Sequence, residues 1–223
     1  MKQTDVLNLK KCEDWMSTGF GYSLHQQAKM SCQKIIEHYQ VQDILQLAGL
    51  PLFDFAIPPH CHYIHVEPDL HHLAQGHTVV ANINALPFAA ETFDCLVISH
   101  LFEVISDINI QEYLRVLKPN GLVVIFVLNL KGYCWFRNVF DGDFLPWKQR
   151  WHGKKALIDF MRQQSCHFID INYLASHPVG PSMIPAWLRY VYRYLPQLSS
   201  LSQLTFVKRV KGQIPVELVR GAI

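Results

Sequence analysis

The 223-residue sequence contains no run of about 18 uninterrupted apolar residues, the minimum for a bilayer-crossing helix. No transmembrane segment is therefore expected. Its opening stretch, MKQTDVLNLKKCEDW, holds no apolar core, which argues against a secretory leader. No C-x-x-C pair occurs among Cys12, Cys32, Cys61, Cys95, Cys134 and Cys166. The cysteines read as reduced thiols, mostly core filler, in a cytoplasmic protein. Charge is scarce: 17% of residues are charged and the formal net charge is +2, where a quarter charged is roughly average. Bulk charge thus gives no reason to expect a nucleic-acid partner. Repeats, low-complexity tracts and linkers rich in Gly, Ser or Pro are also missing. Residues 1–223 therefore read as one domain. The oligomeric state stays open.

What is present favours a core. Half the residues are hydrophobic, which rules out wholesale disorder. Residues 1–20 read as polar and irregular. A helix follows over about 20–40, with Leu24, Ala28, Cys32, Ile35 and Ile36 on one stripe. Asp43–Leu47, Tyr63–Val66 and Thr78–Val80 read as short strands. Phe93–Ser99 is a near-continuous apolar run, as expected of a strand covered on both faces. A helix over Ile110–Leu117 leads to Lys118-Pro119-Asn120-Gly121, a stop and turn, and then to the strand Leu122–Leu128. Further on, Lys154–Gln164 and Pro185–Leu195 read as helices, Phe168–Tyr173 and Leu204–Val210 as strands. Apolar strands alternating with helices imply crossover units and a parallel sheet.

Two stretches join Leu86 to Val127: LPFAAETFDCLVISHLFEVISD and YLRVLKPNGLVVIFV. Their order of a Leu-Pro-Phe turn, Phe-Asp, apolar strand, loop-helix and Leu-Lys-Pro-x-Gly turn resembles the type-11 family of class I S-adenosylmethionine (SAM) dependent methyltransferases. The strand–helix order extends the resemblance over about 20–210, and the chain looks most like short bacterial members. The resemblance implies an α/β fold: a three-layer, Rossmann-like, seven-stranded, mostly parallel sheet with an antiparallel last strand. It also implies SAM as cofactor and a methyl acceptor as small-molecule substrate. Ligands of such open sheets bind beyond the carboxyl ends of the strands, at the topological switch point.

The resemblance places the site residues. The family's glycine-rich loop after the first strand falls on Ala48, Gly49, Leu50 and Leu52, and its acidic residue on Gln46. Three glycines and the acid are thus replaced, and only Gly49 remains, one position displaced. Glu67, about 20 positions after Gln46, matches the ribose-binding acid; on its own it also reads as a solvated surface glutamate. Asn82 takes the place of an Asp that contacts the adenine amino group, with Ile83 beside it. Ser99 and His100 follow the fourth strand. His100 is the candidate for a polar group near the transferred methyl, or else a structural hydrogen-bonder at the strand end. Family members often carry a histidine where this chain has Val104.

Two compositional features remain. His60, Cys61, His62, His65, His71, His72 and His77 crowd one segment, but without a second matching pair the spacing does not read as a zinc site. A solvated histidine-rich edge is the reading, with His62 and His65 on opposite faces of a strand. The aromatic and basic residues of 133–152 and of 187–194 belong to a cap spanning about 130–200. They read as core packing or as a substrate-side lid that favours an apolar or aromatic acceptor. An alternative keeps the fold as a non-catalytic binding or scaffold module, because the loop has lost its glycines and its acid.

Overall fold

The computed structural model describes residues 3–53, 59–68, 77–129, 145, 153–174 and 199–209. Five helices and seven strands occur among them. They are α1 (Gln3–Met16), α2 (Gly19–Tyr39), β1 (Asp43–Leu47), β2 (His62–Glu67), β3 (Thr78–Val80), β4 (Phe93–Ser99), α3 (Leu101–Val104), α4 (Ile110–Val116), β5 (Leu117–Leu128), α5 (Lys154–Gln163), β6 (Cys166–Leu174) and β7 (Leu201–Lys208). The helix expected over 185–195 and the cap residues 130–152 lie outside the described residues, apart from Leu145. So do His71 and His72.

The strands form one sheet in the order β3-β2-β1-β4-β5-β7-β6. β1 pairs in parallel with β2 and β4, β2 with β3, and β4 with β5. β7 enters antiparallel between β5 and β6. This is the expected Rossmann-like sheet with an antiparallel last strand. Ile44, Leu45, Leu47, Leu96, Ile98 and Val123 to Phe126 are fully buried, which explains why these strands read as continuous apolar runs.

One expectation is overturned. Residues 3–16 are helical, not irregular. The buried stripe of α1 is Asp5, Leu9, Cys12, Glu13 and Met16. Two of its five members are carboxylates, so the apolar periodicity is broken just where the helix meets the protein. A left-handed Gly19 opens α2, and a Cβ on Gly21 would run into the backbone of Trp15.

The Leu-Lys-Pro-x-Gly segment serves the amino ends of the strands. Leu117 pairs with Phe93 and Leu122 with Cys95, so the intervening residues form an excursion within β5 rather than a free turn. Asn120 takes the left-handed conformation there. Lys118 Nζ lies 2.8 Å from both Asp43 Oδ2 and Asp94 Oδ1. Asp94 Oδ2 also accepts from the backbone N–H groups of Gln42 and Asp43. Nearby, Glu112 accepts from the Leu86 N–H at 2.8 Å and forms two hydrogen bonds with Arg115. The Leu-Pro-Phe turn is thereby tied to α4. Most of the sequence signature is scaffold.

Candidate active site

The carboxyl ends of β1, β2, β3, β4 and β5 form one rim. Strand order reverses between β1 and β4, and the two chain segments that leave these strands touch there. Ala48 and Gly49 both adopt left-handed backbone, at φ 52 and 73°. A Cβ on Gly49 would stand 3.1–3.3 Å from the carbonyl oxygen, Cβ and Oγ of Ser99. The surviving glycine is therefore used for close approach of backbone to backbone.

Gln46 closes this loop from beneath. Its Nε2 donates to the carbonyls of Ala48 (3.1 Å) and Leu50 (2.9 Å). Its Oε1 accepts from the Leu52 N–H (2.9 Å) and the Tyr63 hydroxyl (2.8 Å). Four partners fill the hydrogen-bonding capacity of the fully buried carboxamide. Leu52 packs into the core and Leu50 against it. The loop that bare glycines would line is thus held by one amide and two leucines.

Glu67 ends β2 and is only 3% exposed, so it is not a solvated surface residue. His65, two positions earlier on the same face, is equally buried, and its Nδ1 lies 3.5 Å from Glu67 Oε1. The Tyr63 ring stacks on that imidazole at an interplanar angle of 8°. The reading of a wholly solvated histidine edge fails at His65, because β2 is flanked by β1 and β3 and its inward face is covered. His62 conforms to it: it is exposed on the opposite face, 3.2 Å from Asp43. Among the described residues, no three His, Cys, Asp or Glu side chains converge as a metal site would require.

Helix α1 adds a residue that sequence reasoning missed. Glu13 is buried, and its carboxyl is pushed up to about 8. Burial is the main cause and the charge of Glu67 the second, while a hydrogen bond from the Gly49 N–H pulls the other way. Glu13 therefore sits between the β1 loop and the end of β2. The neighbouring Cys12 thiol is held well above its ordinary value by burial and by the charges of Glu103 and Glu13. It is a protonated packing residue, not a nucleophile.

Asn82 is exposed after β3. Its side-chain oxygen accepts from the Asn84 N–H at 3.0 Å, which closes a turn. Ile83 is fully enclosed in the core. Ser99 ends β4, and His100 follows in left-handed backbone at φ 57°. Its Nδ1 lies 3.0 Å from Glu103 Oε2. Glu103 Oε1 accepts from the Leu128 N–H at the end of β5. Glu103 is a second residue that sequence reasoning passed over. The signal was the three-residue spacing from His100, which one turn of α3 converts into contact.

The rim thus brings together Ala48, Gly49, Glu67, Asn82, Ser99 and His100, and adds Glu13 and Glu103. Gln46 faces the loop it closes, and Ile83 faces the core. Buried carboxylates beside a left-handed loop suit a ligand with donor hydroxyls and a cationic group.

Residues 49–125 match the family model described as a methyltransferase domain. This part of the chain is similar to a type-11 methyltransferase domain. A SAM-dependent methyltransferase from Thermotoga maritima superposes with a TM-score of 0.57 at 16% identity, over 84% of this chain and 92% of that one. A chain of the Haloferax volcanii complex containing the Trm112 methyltransferase activator gives 0.61 at 10% identity, over 92% and 99%. The [4+2]-cyclase SpnF gives 0.55 at 15% identity, over 82% and 81%. At such identities the likeness establishes the methyltransferase fold. No curated protein matches the chain in sequence. Among the described residues, no helix is long and apolar enough to cross a membrane.

Proposed function

We propose that the chain binds SAM and transfers its methyl group to a small-molecule acceptor. The observation that carries this reading is Glu67: a carboxylate buried at the carboxyl end of β2, within a domain matched by the methyltransferase family model. A carboxylate accepts hydrogen bonds on both oxygens, and a ribose supplies two hydroxyl donors. The residues present fit the cofactor in other respects. The Ala48–Gly49 backbone provides a close-packed loop at the switch point. Glu67 supplies a carboxylate that Gln46, spent on loop closure, does not, and the Glu13 carboxyl stands beside it. Asn82 keeps a second lone pair on its side-chain oxygen for the adenine amine, while Ile83 supports that turn from below. Ser99 forms the floor beside Gly49, and His100 stands next to the acceptor. When bound, SAM supplies an electrophilic methyl group. The protein's part is to orient the acceptor and exclude water.

The test is calorimetric titration with SAM. Binding tighter than roughly 100 μM is expected, weakened about tenfold or more in Glu67→Ala, because a charge-assisted hydrogen bond is lost. A folded wild-type protein that gives no binding heat overturns the reading.

A second reading, a non-catalytic module of the same fold, is favoured by one observation: every hydrogen-bonding position of Gln46 is occupied by its own loop. Native mass spectrometry separates the two. A purified protein that retains a nucleoside-sized ligand supports the first. The cytoplasm as location and an apolar or aromatic acceptor belong to the same proposal. The apolar acceptor rests on the aromatic composition of the cap.

A further inference from the structure

We propose that Glu103 positions His100 as a general base, so that the acceptor is a compound which must surrender an N–H or O–H proton. This rests on the methyltransferase reading above and narrows its substrate class. His100 is fixed from both sides of its backbone. Its N–H donates to the Phe126 carbonyl at 3.0 Å, and its own carbonyl accepts from the Glu103 N–H at 3.2 Å. A histidine held at φ 57° on a ligand-binding rim is a sparsely populated geometry that the surroundings must impose.

The two oxygens of Glu103 divide their work. Oε1 takes the Leu128 N–H, which ties the carboxylate to the end of β5. Oε2 is left for His100 Nδ1 at 3.0 Å. Glu103 is 1% exposed and His100 is 6% exposed, so solvent weakens this contact little. An ionised carboxylate can only accept hydrogen bonds. Nδ1 must therefore carry the imidazole proton, which leaves the Nε2 lone pair free to take another. Among the described residues, Nε2 has no hydrogen-bond partner. From α1, the Cys12 thiol feels the charge of Glu103 and remains protonated.

The step balances simply. The proton of an acceptor X–H passes to Nε2, and the X–H bonding pair stays on X. The imidazole becomes imidazolium, whose charge the Glu103 carboxylate offsets. The pair left on X is the nucleophile that a methyl donor requires. Amines, phenols and alcohols belong to this class. Carboxylates and thioethers, which need no base, do not.

The test reads the imidazole directly. Long-range proton–nitrogen NMR of nitrogen-labelled wild-type protein should show neutral His100 as the Nδ1–H tautomer. An Nε2–H tautomer overturns the proposal without any variant. In Glu103→Gln the carboxamide can donate to Nδ1, so the Nε2–H form should gain share. Carbethoxylation of His100 by diethyl pyrocarbonate, mapped by mass spectrometry, should fall about fivefold or more in that variant. Unchanged tautomer and reactivity alongside lowered stability would make Glu103 a brace for β5 and nothing more. A wild-type His100 that resists the reagent altogether also overturns the proposal, since no acceptor could reach it. SAM calorimetry on Glu103→Gln should match wild type within about threefold. If wild type shows the Nδ1–H tautomer but binds no SAM, the methyltransferase reading fails and His100 has no role in methyl transfer.

Discussion

The Tyr63 hydroxyl donates to Gln46 Oε1 at 2.8 Å, from one strand to the next beneath the loop that follows β1. With the Leu52 N–H on the same oxygen and two carbonyls on Nε2, the amide both gives and receives. A carboxylate can only receive. Restoring the acid of the family pattern should therefore harm this chain. Gln46→Glu is expected to cost roughly 2–4 kcal/mol, because it sets a carboxylate against the Ala48 and Leu50 carbonyls. Urea unfolding checks this. A variant as stable as wild type would show that the loop does not depend on the amide donors.

Glu13 makes stability depend on pH. Its folded value of about 8 lies above the ordinary 4.5, so the native state keeps a proton that the unfolded chain releases. Stability should fall as pH rises from about 4.5 to about 8 and level off beyond. Asp14 on the same helix and Glu67 on β2 push in the same direction, and the Gly49 N–H opposes them. Glu13→Gln removes the titration. Its stability should be flatter with pH and exceed that of wild type at pH 9, by an amount on the order of 3 kcal/mol. Urea unfolding at pH 5 and pH 9 measures the difference. Equal slopes in the two proteins would contradict the assignment.

Tyr113 is fully buried on α4, and among the described residues its hydroxyl has no hydrogen-bond partner. Burial pushes the phenol well above its ordinary value. Tyr113→Phe removes a desolvated polar atom at almost constant volume. It should be neutral or stabilising by about 1 kcal/mol. Thermal unfolding of the pair decides, and a clear loss would reveal a partner for the hydroxyl.

The sheet was legible because buried parallel strands are written as apolar runs. DILQL and FDCLVIS became β1 and β4 with their ends unchanged. Helix α1 was not legible. Asp5 and Glu13 occupy positions of its buried face, and periodicity alone reads such residues as solvent-facing. The rim was half legible. Glu67 and His100 follow recognisable strands, whereas their neighbours come from a distance. Glu13 arrives from the start of the chain, and Tyr63 reaches Gln46 across 17 positions. Such meetings are products of packing, and no local spacing announces them. Glu103 lay within reach, yet its role emerged only when the Leu128 N–H accounted for its second oxygen.

Lys118, clasped by Asp43 and Asp94, sits at the end of the sheet remote from Gly49 and His100. The architecture is thus fastened from below and decorated from above. Mutational drift can rewrite the upper loops, trading glycines for leucines and an acid for an amide, without loosening the foundation. A lineage built this way can change its ligand, or abandon it, long before it forgets how to fold.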